Sequence, residues 1–163
     1  MTVRPLDPVA DLAALAGFAP RVADYVELES GHAPGPGWAE AVFAETPPGD
    51  GPFETAHLGL FDAAGMQGLA AMAFGYPEPG DAYLGLMLIA TEARGRGLGP
   101  RLLGAVAETA RARGAPRLYL GVLDANPRGR AFWERQGFRH VLTRTGLAFG
   151  DRRHDVHRMV LPL

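Results

Sequence analysis

Residues 82–112 read AYLGLMLIATEARGRGLGPRLLGAVAETARA, and they carry the clearest structural pattern of the chain. Its first part, Ala82–Ala90, is a near-continuous apolar run, which is typical of a strand buried on both faces in the centre of a sheet. The glycine-rich segment Arg94–Pro100 then predicts a tight turn. Beyond it, apolar residues from Leu98 to Ala110 recur at helical spacing, with charged residues on the other face. The order of strand, turn and helix indicates an α/β protein.

Further strands and helices are indicated on both sides of this unit. The predicted strands are Val3–Pro5, His57–Asp62, Gln67–Gly75, Arg117–Leu123, Phe138–Phe149 and His154–Leu161. The predicted helices are Pro8–Ala16, Trp38–Glu45 and Pro127–Gln136, the last with Asn126 as its N-cap. Residues 17–56 are the part of the chain with the weakest pattern. We predict one α/β domain over residues 1–163, with a mixed sheet flanked by helices.

The composition excludes several classes of chemistry. The chain has no cysteine and no lysine, which excludes disulfides, cysteine nucleophiles, Schiff-base mechanisms and a P-loop lysine. Its one serine, Ser30, lacks the surroundings of a hydrolase nucleophile. No apolar run reaches membrane-spanning length, and residues 1–16 do not resemble a signal peptide. We therefore expect a soluble, cytoplasmic protein with no membrane partner.

The net charge of −2 conceals an uneven distribution along the chain. Residues 1–60 hold nine acidic residues and two arginines, whereas residues 91–163 hold fourteen arginines and six acidic residues. This division favours an anionic ligand on the C-terminal half and, as a hypothesis, a cationic ligand on the other. Aromatic residues do not alternate with the arginines in a basic stripe, so no nucleic-acid partner is predicted.

The turn Arg94–Pro100 has the composition of an anion site. Its three glycines let backbone N–H groups approach a ligand, and the helix that follows directs its positive end to the same place. Such a turn also serves as a packing device. A P-loop is excluded because it requires lysine, and the dinucleotide fingerprint fails because the loop reads G-x-G-x-G and no acidic residue follows about 20 positions later.

Two blocks of the sequence resemble the GNAT acetyltransferase superfamily. Arg94-x-x-Gly97-x-Gly99 is similar to the family signature [Arg/Gln]-x-x-Gly-x-[Gly/Ala], between a strand and a helix. The segment Asn126–Phe138, which reads NPRGRAFWERQGF, resembles the second conserved block of the family. The resemblance covers about Ala82–Phe138 and implies a mostly antiparallel central sheet with splayed central strands.

The resemblance implies that acetyl-CoA binds as a co-substrate, with no metal. Its pyrophosphate would lie on backbone N–H groups of Arg96–Gly99, and its pantetheine arm would pair with Met87 and Ile89. A bulge near Leu88 or Ile89 would free a backbone N–H, assigned to Ile89, which polarises the thioester carbonyl. The residues implied at the cofactor are Met87, Leu88, Ile89, Arg94, Gly95, Arg96, Gly97, Leu98, Gly99, Pro100, Asn126 and Trp133.

The sequence departs from the family pattern at two of these positions. Many members have Tyr where this chain has Trp133, and that Tyr is their usual proton donor to the departing thiolate. An indole N–H donates hydrogen bonds but is not a general acid. Pro100 removes one N–H group from the start of the helix. An alternative to catalysis therefore stays open, namely that the protein binds acyl-CoA without turning it over.

Candidates for the general base are spread along the chain. Strict alternation would place Asp81, Tyr83, Gly85 and Met87 on one face of the strand before the loop, so Asp81 and Tyr83 are candidate catalytic residues. Further candidates are Glu27, Glu29 and His57. Aromatic residues that could line an acceptor pocket or belong to the core are Tyr25, Trp38 and Phe43.

The pair His154 and His157 does not predict a metal site. Residues i and i+3 of a strand point to opposite faces, and we expect both to lie on a solvated edge strand. Taken together, the sequence predicts an acetyl-CoA-dependent N-acetyltransferase that transfers directly to an amine of a small molecule or peptide, with a cationic acceptor as the hypothesis that the charge distribution favours. A monomer and a homodimer are both compatible with it.

Overall fold

Seven strands form one mixed sheet in the computed structural model, which describes residues Met1–Leu163. The strands are β1 (Thr2–Pro5), β2 (Glu54–Asp62), β3 (Gly65–Phe74), β4 (Ala82–Ile89), β5 (Arg117–Leu123), β6 (Arg139–Phe149) and β7 (Arg152–Pro162). Their spatial order is β1-β2-β3-β4-β5-β7-β6. Only β4 and β5 run parallel, so the predicted mixed, mostly antiparallel sheet is confirmed.

Five α-helices cover the sheet. They are α1 (Leu12–Phe18), α2 (Ala23–Ser30), α3 (Trp38–Ala44), α4 (Leu98–Ala112) and α5 (Pro127–Arg135), with 3-10 turns at Ala19–Val22 and Thr91–Ala93. The prediction for the first helix begins too early, because the Asp7 carboxylate accepts hydrogen bonds from the N–H groups of Val9 and Ala10 in a turn before α1. The sequence pattern does not predict helix α2. No helix has the length and apolar character that crossing a membrane requires.

The central strands β4 and β5 part soon after they meet. They pair only at Ala82 with Leu118, Tyr83 with Tyr119 and Leu84 with Leu120. Beyond Leu84 the strands diverge, which confirms the predicted splay. A gap therefore opens at the centre of the sheet, where backbone groups of a buried strand have no neighbouring strand to bind.

A β-bulge at Gly85 accompanies this divergence. In the pairing of β3 with β4, Ala71 faces Leu86 and Met72 faces Leu84, so Gly85 is an extra residue. The bulge thus lies at Gly85 and not at Leu88 or Ile89. It also breaks the predicted alternation along β4, because one extra residue reverses which face the following side chains occupy.

The two faces of the sheet carry different helices. The Leu88 side chain shares a cavity with Val42 of α3, whereas the side chain of its neighbour Ile89 points toward Leu102 of α4, both close to Gly68. Since neighbouring residues of a strand point to opposite faces, α3 and α4 lie on opposite sides of the sheet. Buried leucines of the sheet, among them the fully buried Leu69 and Leu118, form part of the hydrophobic core.

Asp81 is a structural residue and not a candidate base. It is 1% exposed, its Oδ1 accepts a hydrogen bond from Nε of Arg117 at 3.1 Å, and its Oδ2 has no partner. Asp81 lines neither of the two large cavities described below. The ion pair compensates a carboxylate that is buried where β4 and β5 begin to pair.

Replacing Arg117 should destabilise the fold because it leaves the Asp81 charge buried without a partner. We expect Arg117→Ala to lower the melting temperature by several degrees. The control, Arg139→Ala, removes an exposed arginine with no hydrogen bond and should leave the melting temperature nearly unchanged. Adding Asp81→Asn to Arg117→Ala should recover part of the loss, and equal losses for both arginines would contradict the prediction.

Candidate active site

The loop before α4 presents free backbone donors. Gly95 and Gly97 have φ angles of 79° and 75°, a region that favours glycine, and Gly97 is the N-cap residue of α4. The N–H groups of Gly95, Arg96 and Gly97 have no partner within the chain. Those of Leu98 and Gly99 belong to the first turn of the helix, where no intrahelical acceptor exists. The loop and the helix together form a concave set of donors for an anion.

The Arg94 side chain is bound by other residues of the chain and is therefore not free to bind a ligand. Its guanidinium forms a bidentate ion pair with Asp24 of α2, at 2.5 and 3.1 Å, and its Nε donates to the Ile89 carbonyl at 3.1 Å. This guanidinium holds the pKa of Asp24 below its usual range. Arg94 therefore joins the loop to α2, and the Arg96 side chain donates to the Glu92 carbonyl.

A cleft of about 840 Å³ begins at this loop and extends along the gap between β4 and β5. Most of the predicted cofactor residues line it: Met87, Leu88, Ile89, Arg94, Gly95, Gly97, Leu98, Gly99, Pro100, Asn126 and Trp133. Arg96, Tyr83 and Asp81 do not. Arg128 and Arg135 of α5 also line the cleft, and sequence reasoning does not select them.

The backbone N–H and C=O groups that β4 directs to the gap are those of Met87 and Ile89. The Ala90 N–H donates to the Gln67 carbonyl at 2.9 Å, and backbone groups alternate between the two edges of an antiparallel strand. The groups of Leu88 consequently point to β3, whereas those of Met87 and Ile89 point to the gap. The Ile89 carbonyl agrees with this assignment because Arg94 binds it from the gap side.

Helix α5 closes the other side of the cleft. The Asn126 side chain caps it by accepting a hydrogen bond from the Gly129 N–H at 3.0 Å, which confirms the predicted N-cap. Trp133 packs edge-on against Phe132 and Phe138, with ring centroids 4.9 and 5.4 Å apart. Its half-buried indole thus joins the core while it lines the cleft.

A second cavity of about 760 Å³ lies on the α2 and α3 side of the sheet. Residues shared by both cavities mark the place where they meet between β4 and β5: Tyr25, Gly85, Leu86, Leu88 and Gly121. Gly121 leaves no room for a side chain at this place, because a Cβ there would lie 2.9 Å from Cγ1 of Val156 and 3.2 Å from the Tyr83 hydroxyl. The two cavities thus reach the centre of the sheet from opposite faces.

Acidic side chains line the second cavity. Burial, and to a smaller extent the Glu45 charge, raise the pKa of Glu29, and burial raises the pKa of Glu45 itself. The Tyr25 hydroxyl donates to Oε2 of Glu29 at 3.4 Å. Arg144 and Arg158 also line the cavity, and Arg158 donates to the Tyr76 hydroxyl at 2.7 Å. The cavity therefore contains two acidic and two basic side chains.

Four further residues that the sequence suggests for the general base or the acceptor pocket differ in whether they line the second cavity. Tyr83, Trp38 and His57 line the second cavity, whereas Phe43 packs edge-on against His57 outside it. Burial raises the pKa of Tyr83, so its phenol is protonated and cannot serve as a base at neutral pH. Burial lowers the pKa of His57, and its Nε2 lies 3.2 Å from the Val42 carbonyl.

Glu27, another candidate base, is exposed and lines neither cavity. The two histidines of β7 correct a further prediction. Strand β7 lies between β5 and β6, so it is not an edge strand, and His154 and His157 are 8% and 9% exposed. His154 binds the Glu29 carbonyl at 2.8 Å, whereas His157 lies between Thr143 and Asp124. His154 therefore connects α2 to β7, whereas His157 connects β7 to β6 and to the residue that follows β5.

Comparison with known proteins identifies the class of protein. The sequence matches the acetyltransferase (GNAT) family over residues 34–138, and the chain belongs to this family. The family uses acetyl-CoA. A comparison with curated protein sequences gives no match.

Solved structures with this fold cover the whole chain. An acetyltransferase from Thermus thermophilus has 28% sequence identity and a TM-score of 0.78, over 100% of this chain and 98% of its own. A ribosomal-protein-alanine N-acetyltransferase from Brucella melitensis has 24% identity and a TM-score of 0.72, over 100% of both chains. The ribosomal-protein-S18-alanine N-acetyltransferase from Escherichia coli has 22% identity and a TM-score of 0.72, over 99% of this chain and 92% of its own.

The cap of α5 depends on a glycine at position 129. A Cβ there would lie 2.4 Å from Nδ2 of Asn126. We expect Gly129→Ala to lower the free energy of unfolding by about 1 kcal/mol through loss of the cap. The control, Gly104→Ala, adds a Cβ in open space on helix α4 and should raise it by about 0.5–1 kcal/mol. Urea unfolding measures both, and stabilisation by both variants would contradict the role of Asn126.

Proposed function

We propose that the protein transfers an acetyl group from acetyl-CoA directly to an amine of a small molecule or peptide within a ternary complex. One observation carries this proposal: two cavities reach the gap between β4 and β5 from opposite faces and share lining residues there. A donor molecule in one cavity and an acceptor in the other would meet at this gap without a covalent enzyme intermediate. The absence of cysteine and of a suitable serine agrees with direct transfer.

The loop before α4 fits the pyrophosphate of acetyl-CoA. Its unpaired N–H groups, from Gly95 to Gly99, converge at the positive end of a long helix. Because Asp24 neutralises Arg94, the backbone donors would supply most of the attraction. Arg128 and Arg135 add positive charge on the facing wall of the cleft.

The gap-facing edge of β4 fits the acyl end of the same substrate. Met87 and Ile89 would pair with the pantetheine arm, as the family resemblance implies. The Ile89 N–H, which points into the gap, would donate to the thioester carbonyl oxygen as negative charge develops there. A fixed donor of this kind contributes about 2.7–4 kcal/mol of transition-state stabilisation.

Glu29 is the base that the geometry favours. It lines the acceptor cavity, and burial raises its pKa, which makes its carboxylate a stronger proton acceptor. Asp81 is bound to Arg117 outside both cavities, and the pKa of Tyr83 is raised. Glu29 and Glu45 offer carboxylates to a cationic group of the acceptor, and Arg144 and Arg158 of the same cavity offer positive charge to an anionic group, so the cationic group would bind beside Glu29 and Glu45.

The presence of Trp133 supports a second candidate function. Its indole cannot protonate the departing thiolate, so the protein could bind acyl-CoA without turnover. An assay of thiol release with a panel of polyamines, amino acids and peptides separates the two functions. Release that depends on an amine supports transfer, whereas CoA binding without release supports the binding module.

The loop donors should determine the affinity for CoA. Gly97→Ala forces a side chain into a left-handed conformation and shifts neighbouring N–H groups, so we expect the dissociation constant of CoA to rise about tenfold. The control, Gly114→Ala, introduces a Cβ at nearly the same φ, 77°, in equally open space outside both cavities. Isothermal titration should show no change in affinity for it. If both variants bind CoA with the same affinity, the pyrophosphate does not bind at the loop before α4.

The Glu45 charge should affect the acceptor but not the donor. We expect Glu45→Gln to raise the KM of a polyamine acceptor about threefold or more and to leave the KM of acetyl-CoA unchanged. Thiol-release kinetics measure both constants, and added salt should reduce the difference. The control, Glu40→Gln, changes an exposed residue of α3 outside both cavities. An unchanged acceptor KM for Glu45→Gln would refute the electrostatic preference.

A further inference from the structure

One of the residues that line both cavities has a protic side chain. The residues that line both are Tyr25, Gly85, Leu86, Leu88 and Gly121, and only Tyr25 has a hydroxyl or a titratable group. In a direct transfer the C–S bond breaks where the two cavities meet. Among the shared residues, the side chain that can give a proton to sulfur therefore comes from α2, outside both sequence blocks that resemble the family.

Tyr25 has a partner that can restore its proton. Its hydroxyl lies 3.4 Å from Oε2 of Glu29, four residues later and on the same face of α2. Glu29 lines the acceptor cavity, whereas Tyr25 lines both cavities. The pair thus extends from the acceptor side to the junction. Burial raises the pKa of the Tyr25 phenol, which keeps it protonated at neutral pH.

Both ends of α2 are fastened, which fixes the position of this hydroxyl. Next to Tyr25, Asp24 forms the bidentate ion pair with Arg94 of the loop. At the other end, the Glu29 carbonyl accepts a hydrogen bond from His154 at 2.8 Å, and the Leu28 carbonyl accepts one from Arg152 at 3.1 Å. The helix is thereby tied to the loop on one side and to β7 on the other.

We propose that the Tyr25 hydroxyl donates the proton that the departing CoA sulfur requires, in place of the phenol that the family usually has at position 133. The inference rests on the proposed function. The Tyr83 hydroxyl also lies close to Gly121, but Tyr83 is a weaker candidate because it lines only the acceptor cavity, where its ring packs edge-on against Tyr76 at 5.0 Å.

The proton balance of the step is closed by the Tyr25–Glu29 pair. The neutral amine attacks the thioester carbon, a C–N bond forms, and the nitrogen gives a proton to the Glu29 carboxylate. The C–S bond breaks, and the sulfur takes both bonding electrons together with the Tyr25 proton. The Glu29 carboxylic acid then returns its proton to the Tyr25 oxygen. The products are the amide and CoA thiol, and both side chains regain their initial states.

The first test needs no acceptor. CoA and desulfo-CoA, which lacks the sulfur, are titrated into the protein at about pH 9, above the ordinary thiol pKa of about 8.5. We expect the wild type to bind CoA about tenfold more tightly than desulfo-CoA, because a hydroxyl donates to the thiolate. Tyr25→Phe should abolish this preference. A preference that is absent from the wild type or retained in Tyr25→Phe overturns the proposal.

The second test measures turnover. Tyr25→Phe should lower kcat for thiol release about 100-fold with little change in the KM of acetyl-CoA. The control, Tyr119→Phe, removes a hydroxyl from β5 outside both cavities and should retain the wild-type kcat. An unchanged kcat for Tyr25→Phe overturns the proton-donor role and leaves the transferase function intact. Wild-type protein that releases no thiol with any amine overturns the transferase function itself, and the role of Tyr25 with it.

Discussion

Strands β4 and β5 pair over three residues and then diverge, because one extra residue in β4 changes which edge of the strand its backbone groups occupy. Before Gly85, the Asp81 carbonyl bonds across to the Gly75 N–H, so the alternate residues Ala82 and Leu84 turn their backbone groups to β5. The extra residue at Gly85 shifts this alternation, and after it Met87 and Ile89 face the side where β5 has moved away. Buried backbone groups without partners cost free energy, which a ligand that pairs with them would recover. The unpaired edge of β4 is thus a consequence of the bulge in the strand.

The ion pair between Arg94 and Asp24 connects the two halves of the site. It joins the loop before α4 to α2, whose residues line both cavities. Its cost is a loss of free positive charge, since a guanidinium bound to a carboxylate attracts a phosphate less strongly. The backbone donors of the loop do not have this disadvantage, because helix geometry fixes them and no side chain of the protein competes for them.

Local signals made part of the fold and site predictable from the sequence. The loop glycines are needed for positive φ angles, and the Asn126-Pro127 pair starts a helix, so both features depend on a few neighbouring residues. The bulge at Gly85 could not be located, because a glycine in an apolar run is equally compatible with a regular strand. The burial of His154 depends on a carbonyl of α2, which is distant in the sequence. Contacts of this kind leave no periodic pattern.

The family match covers most, but not all, of the residues that line the two cavities. The match covers residues 34–138, which include the loop, the splayed strands and Trp133. Tyr25, Glu29 and Arg158 lie outside it. A proton donor supplied from α2 would therefore come from outside the matched segment, and the indole at position 133 would then need only to pack against Phe132 and Phe138.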